Sequence, residues 1–131
     1  MEILKNIQFE YANIELLSNG IIRVDMLSDH TIDLEESVQI NIAEGELLNG
    51  ELESGLVLML AGSTTQFTNE AREFSASKEG LRFSIAEALV VKNLAQRMVV
   101  NFYLKINKPS VTSKAFDSED AAAEWLLSFI K

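Results

Sequence analysis

The run GLVLMLAG, residues 55–62, decides the fold. Six apolar residues, Leu56 to Ala61, stand between two glycines with no polar alternation, which is how a strand buried on both faces reads. Such strands belong to parallel sheets covered by helices on each side, so the residues around this run should alternate between helix and strand. They do so downstream. Thr68 or Asn69 can cap a short helix over Glu70–Ser77, with Ala71, Phe74 and Ser75 facing inward, and Ala86–Val91 is a second apolar run. Asn93-Leu94-Ala95-Gln96 resembles a capping box and opens a helix through about Ile106, which Pro109 stops while biasing Lys108 away from helical angles. Val111–Phe116 reads as a short last strand. Asp117 or Ser118 then caps a terminal helix with Ala122, Trp125, Leu126, Phe129 and Ile130 as its buried stripe.

Upstream, Asn13–Leu17 and Ile21–Leu27 flank Ser18-Asn19-Gly20, and Asn-Gly is a strong hairpin signal because both residues tolerate positive φ. Asp33-Leu34-Glu35-Glu36 fits a capping box and starts a helix ending near Asn49-Gly50, with Leu34, Val38, Ile42 and Leu48 as its apolar face. The predicted order is β-β-α-β-α-β-α-β-α: an α/β single domain over residues 1–131, whose mixed sheet opens with an antiparallel hairpin and continues with parallel strands. A chain of 131 residues buries roughly two-thirds of its unfolded surface in one core.

With no cysteine, disulfides, thiolate nucleophiles and cysteine-ligated metals are excluded. No segment has the length of a signal sequence core or a membrane span, and the expected location is the cytoplasm. The net charge of -9 argues against nucleic acid and against anionic membranes for the molecule as a whole. Its distribution is uneven. No acid occurs between Glu87 and Asp117, where Lys92, Arg97, Lys105, Lys108 and Lys114 give +5, leaving -14 on the remainder.

A helical wheel over Asn93–Asn107 gathers Ala95, Met98, Val99, Phe102, Tyr103 and Ile106 on an expected core face. The opposite side carries the i,i+4 stripe Asn93, Arg97, Asn101 and Lys105, with Val100 and Leu104 among them. Arg97, Val100, Asn101, Leu104, Lys105 and Lys108 are therefore the candidate interaction surface, mixed apolar and basic. It suits a protein partner, a second copy in a homodimer, or an amphiphilic ligand.

Catalytic chemistry is not legible. His30 is the only histidine, the six glycines fit neither a G-x-G-x-x-G nor a P-loop pattern, and the acidic pairs Glu35/Glu36 and Glu119/Asp120 sit where carboxylates favour a helix N-terminus. No catalytic residue, cofactor or metal ligand is assigned, and an enzyme is not the expectation.

The element order together with GLVLMLAGSTTQFTNEAREF resembles the STAS domain of anti-sigma-factor antagonists. The wider pattern, from TIDLEES through TNEAREFSASKEGL to VNFYLKINKP and FDSEDAAAEWL, is similar to a group of small uncharacterised bacterial proteins of that fold. The resemblance runs from about Ile21 to the end and implies a module that works by surface contact. In antagonists an aspartate stands in the strand and a serine at the helix start is phosphorylated; here Met59 and Asn69 take those places, with Thr68 the neighbouring hydroxyl. Thr68 and Asn69 thus form a candidate regulatory loop. The expected function is a non-enzymatic regulatory or protein-interaction module, with the alternative of an apolar or anionic small molecule bound in a cleft beside the helix from Asn93.

Overall fold

The computed structural model describes residues 1–130 as an α/β sandwich. Its strands are β1 (Ile3–Gln8), β2 (Ala12–Leu17), β3 (Ile21–Met26), β4 (Thr31–Ile32), β5 (Gly55–Ala61), β6 (Gln66–Phe67), β7 (Ser84–Val90) and β8 (Thr112–Phe116). Between them run α1 (Leu34–Leu47), α2 (Asn69–Ala76) and α3 (Leu94–Phe102), the last continued by a π-helical turn over Tyr103–Asn107; α4 (Glu119–Leu127) follows β8. Six strands form one sheet in the order β1-β2-β3-β5-β7-β8, antiparallel through β3 and parallel beyond it, while β4 and β6 pair in a separate short ladder.

The apolar run at 55–62 is the centre of this sheet. Val57 and Met59 pack with Ile14, Val24, Ile40 and Ala71 on the side of α1 and α2, while Leu56, Leu58 and Leu60 pack with Ala86, Ala88 and Leu126 on the side of α4. Both faces are covered, which is why the segment shows no alternation. The caps are as expected: Asp33 and Glu36 form a capping box, and Thr68, Asn93 and Ser118 each accept a backbone N–H of the first turn.

Four expectations are corrected. β1 precedes the expected hairpin; its residues are nearly all exposed at the sheet edge, so ILKNIQ carries no burial pattern to read. In the hairpin turn only Gly20 takes positive φ, while Asn19 accepts from the Ile21 amide through its side chain. The inward face of α1 is Ser37, Ile40, Asn41, Ala43, Glu44 and Leu47, whereas Leu34 and Ile42 are exposed. Polar Asn41 and Glu44 occupy that face, and Asn41 donates to the Gly80 carbonyl at 2.9 Å, so an apolar wheel misplaces it. At the end of α4, Ala122 and Leu126 are buried, but the chain tightens into a 3-10 turn over Ser128–Ile130 that turns Phe129 and Ile130 outward.

Candidate functional site

In parallel α/β sheets, side chains beyond the carboxyl ends of the strands are free to line a crevice. Here β3, β5 and β7 end at Met26, Ala61 and Val90, and α3 does not lie flat on them. A cleft of about 480 Å³ remains between α3, the sheet and the 62–68 loop. Met26, Met59, Leu89, Phe67, Val99 and Val100 are its apolar walls; Glu87, Tyr103, Arg72 and Gln96 are the principal polar groups on it.

Two polar anchors hold α3 at this distance. The Gln96 amide donates to the carbonyls of Gly62 (2.8 Å) and Ala61 (3.2 Å), and its oxygen accepts from the Lys92 amide (2.7 Å). Two turns later, the Tyr103 hydroxyl lies 2.8 Å from Glu87 Oε1 and 3.1 Å from the Ser75 carbonyl. Between the anchors, Val99 and Val100 span the gap without filling it. The 62–68 loop is fastened on its far side: Thr64 Oγ1 accepts from the Asp29 amide and donates to the Asp29 carboxylate, and Thr65 donates to the Leu27 carbonyl. Gly62 is required at the turn, because a Cβ there would meet Ser28 Oγ at 2.0 Å and its backbone nitrogen at 2.5 Å.

Glu87 is buried, and desolvation pushes its carboxyl up to about 7 although the Tyr103 and Ser113 hydroxyls favour the charged form. Glu44, buried beneath it on α1, is pushed up to about 8 by burial and then by the neighbouring Glu87. The two carboxyls border a second cavity of about 40 Å³ in the core. Tyr103 is raised by the same burial and by Glu87. This end of the cleft therefore disfavours added negative charge. Arg72 donates to the Phe67 carbonyl at 2.7 Å and to Asn69 Oδ1, both neutral, with its guanidinium 5.5 Å from the Phe102 ring centre and its buried Nε without a partner among the described residues.

The expected interaction residues divide. Arg97, Asn101, Lys105 and Lys108 are exposed, and Arg97 pairs with Asp117. Val100 and Leu104 are half-buried, with Val100 on the cleft wall. Of the expected core face Tyr103 is buried and Ala95 and Val99 line the cleft, but Met98 is 65% exposed, Phe102 47% and Ile106 63%; Leu94, outside that face, is 74% exposed. Gln96 and Tyr103 are the buried residues of this helix, so the anchors set its rotation against the apolar wheel. Thr68 Oγ1 accepts from the Ala71 amide at 3.1 Å at the start of α2, next to the cleft residue Phe67. Glu87 escaped sequence analysis although it was visible there, as the single acid inside an otherwise apolar strand. His30 lies elsewhere, bonded to Glu36 and stacked on Tyr11. No group of three or more metal-ligating side chains occurs among the described residues.

A family model described as a domain of unknown function (DUF7793) matches residues 15–130. No curated protein matches in sequence. Among solved structures, the crystal structure of an uncharacterized protein of the DUF3478 family with a SpoIIAA-like fold, from Shewanella loihica PV-4, superposes with a TM-score of 0.57 at 10% identity. The match covers 93% of this chain and 90% of that one. It bears out the antagonist-like fold expected from the sequence and extends to the fold alone.

Proposed function

Since this chain belongs to the DUF7793 family and has a SpoIIAA-like fold, we propose that it is a non-enzymatic binding module of the cytoplasm that holds an apolar small molecule in the cleft under α3. The observation that carries this is the 480 Å³ apolar gap kept open between the two polar anchors of α3. Cores close-pack unless something fills or holds the space, and the volume is in the range of small-molecule sites. A ligand removing about 300 Å² of apolar surface from water would gain roughly 7 kcal/mol before the costs of association. The ligand is uncharged where it meets Glu87, which disfavours a carboxylate; a polar end belongs outside or at Arg72, which bonds only the neutral Phe67 carbonyl and Asn69 amide and whose buried Nε has no partner among the described residues.

The test is titration with the neutral fluorescent probe N-phenyl-1-naphthylamine. Wild-type protein should bind it saturably at one site. Val100→Trp, which fills the cleft from its wall, should weaken binding at least tenfold, whereas Ile42→Trp on the exposed side of α1 should leave it unchanged. Equal binding by wild type and a folded Val100→Trp variant removes the cleft as the site. A second function, contact with an acidic partner protein through Arg97, Asn101, Lys105 and Lys108, is favoured by their exposure on an acid-free stretch. Its check is a Lys105→Glu variant, which should lose the partner without losing the probe.

A further inference from the structure

The outward side of α3 is apolar where a surface helix is ordinarily polar. Leu94, Met98, Phe102 and Ile106 recur every four residues, a stripe of exposed side chains that runs from the first turn of α3 into its π-helical turn. Val99 belongs both to this side, at 40% exposure, and to the cleft wall, so apolar surface is continuous from solvent into the cleft. Lys92, Arg97, Lys105 and Lys108 rim the stripe or flank its ends, and no acid lies between Glu87 and Asp117. Exposed apolar surface of this extent marks a docking face, and a helix that pairs an apolar stripe with lysine and arginine is the form that lies in a lipid interface.

We propose that α3 docks on an anionic lipid surface, inserting Leu94, Met98, Phe102 and Ile106 while its cations meet the headgroups. Charge selects this occupant over a second copy joined through the same face. A two-fold contact would crowd Arg97, Lys105 and Lys108 of both subunits together, and the acid beside them, Asp117, is already paired with Arg97. The net charge of -9 does not oppose docking, because screening at physiological salt acts over about 8 Å and the exposed Lys105 and Lys108 beside the stripe make no ion pair among the described residues. The docking face stands independently of the cleft's occupancy, though continuity through Val99 gives an apolar ligand a route from the lipid phase.

The experiment is flotation with vesicles of phosphatidylcholine containing 30% phosphatidylglycerol, against vesicles of phosphatidylcholine alone. The protein should float with the first and much less with the second, and should be released by added salt. A cation near an anionic leaflet is worth about fivefold in affinity, so Lys105→Glu with Lys108→Glu should reduce binding more than 25-fold. Met98→Glu with Phe102→Glu should abolish it; because Phe102 also meets Arg72, Leu94→Glu in the exposed first turn provides a second variant, and circular dichroism confirms folding. Equal flotation with both vesicle types overturns the charge selection. No flotation overturns the proposal, whether the protein is monomeric by light scattering or a dimer that Leu94→Glu dissociates. Probe binding without flotation would sink docking and leave the cleft standing; flotation without probe binding would do the reverse.

Discussion

Replacing Glu87 with glutamine tests the electrostatics of the cleft floor, and its effect is set by burial. In the folded chain the Glu87 carboxyl titrates at about 7 against an ordinary 4.5, chiefly because burial penalises its charged form. Below pH 4.5 the group is protonated in both states and contributes no pH-dependent term. As pH rises from 4.5 to 7, the unfolded chain releases this proton while the folded chain keeps it, so stability falls; above 7 the loss is complete and constant. A gap of 2.5 pH units corresponds to roughly 3 kcal/mol. Glu44, raised to about 8 by burial first and by Glu87 second, adds a fall of the same sign over a slightly wider window. Glu119, lowered by its bond to Arg23, has the opposite sign, and its contribution is lost only in acid, below the ordinary carboxylate range. Urea unfolding from pH 4.5 to 8.5 should therefore show wild-type stability declining toward alkaline pH. Glu87→Gln keeps a side chain of the same shape beside Tyr103 and Ser113 without the titration; it should remove roughly 3 kcal/mol of that decline. If the variant declines as steeply as wild type, or wild type gains stability from pH 5 to 8, the description of Glu87 as a buried acid held neutral is wrong.

Other substitutions probe how the cleft is framed, each read by chemical denaturation. Gly62→Ala should destabilise by about 1–3 kcal/mol, because the new methyl meets Ser28 backbone as well as its hydroxyl, and should weaken probe binding through the Gln96 anchor. Thr68→Val should cost about 1 kcal/mol by removing the N-cap of α2. Leu126→Ala, fully buried against β5 and β7, should cost roughly 3 kcal/mol, whereas exposed Ile130→Ala should cost less than 0.5 kcal/mol.

The sheet centre was legible because a strand buried on both sides has no choice of face. Leu56–Ala61 must be apolar throughout, and the helices around it announce themselves through Asp33, Thr68, Asn93 and Ser118 as caps. Rotation is a different matter. An apolar wheel finds the buried side of a helix only when apolar residues provide its contacts. On α1 the inward face includes Asn41, whose amide nitrogen donates to the Gly80 carbonyl, and Glu44, which burial keeps protonated near neutral pH. Neither condition is readable before the partners are in place. β1 fails for the complementary reason, since an edge strand held by backbone bonds to β2 leaves its side chains unconstrained.

α3 joins these two causes. Its capping-box glutamine does bond a backbone amide at the helix start, Lys92, but its amide nitrogen also reaches across to β5, and that second bond turns the helix. Once Gln96 and Tyr103 point inward, a helix at about 100° per residue has to carry Leu94, Met98 and Phe102 outward. Val100, intended for the surface, then falls on the cleft wall. The same rotation that leaves the cleft unfilled thus places apolar side chains in water beside unpaired lysines. A free-standing domain would be more soluble with polar residues at 94, 98 and 106, and the domain would tolerate them, since these three are 63–74% exposed, whereas Phe102 also meets Arg72. The consequence is separable by experiment: Leu94→Lys with Ile106→Lys should leave thermal unfolding within about 0.5 kcal/mol of wild type. A large loss of stability would show that the stripe is packed within the domain and is not a face kept for lipid.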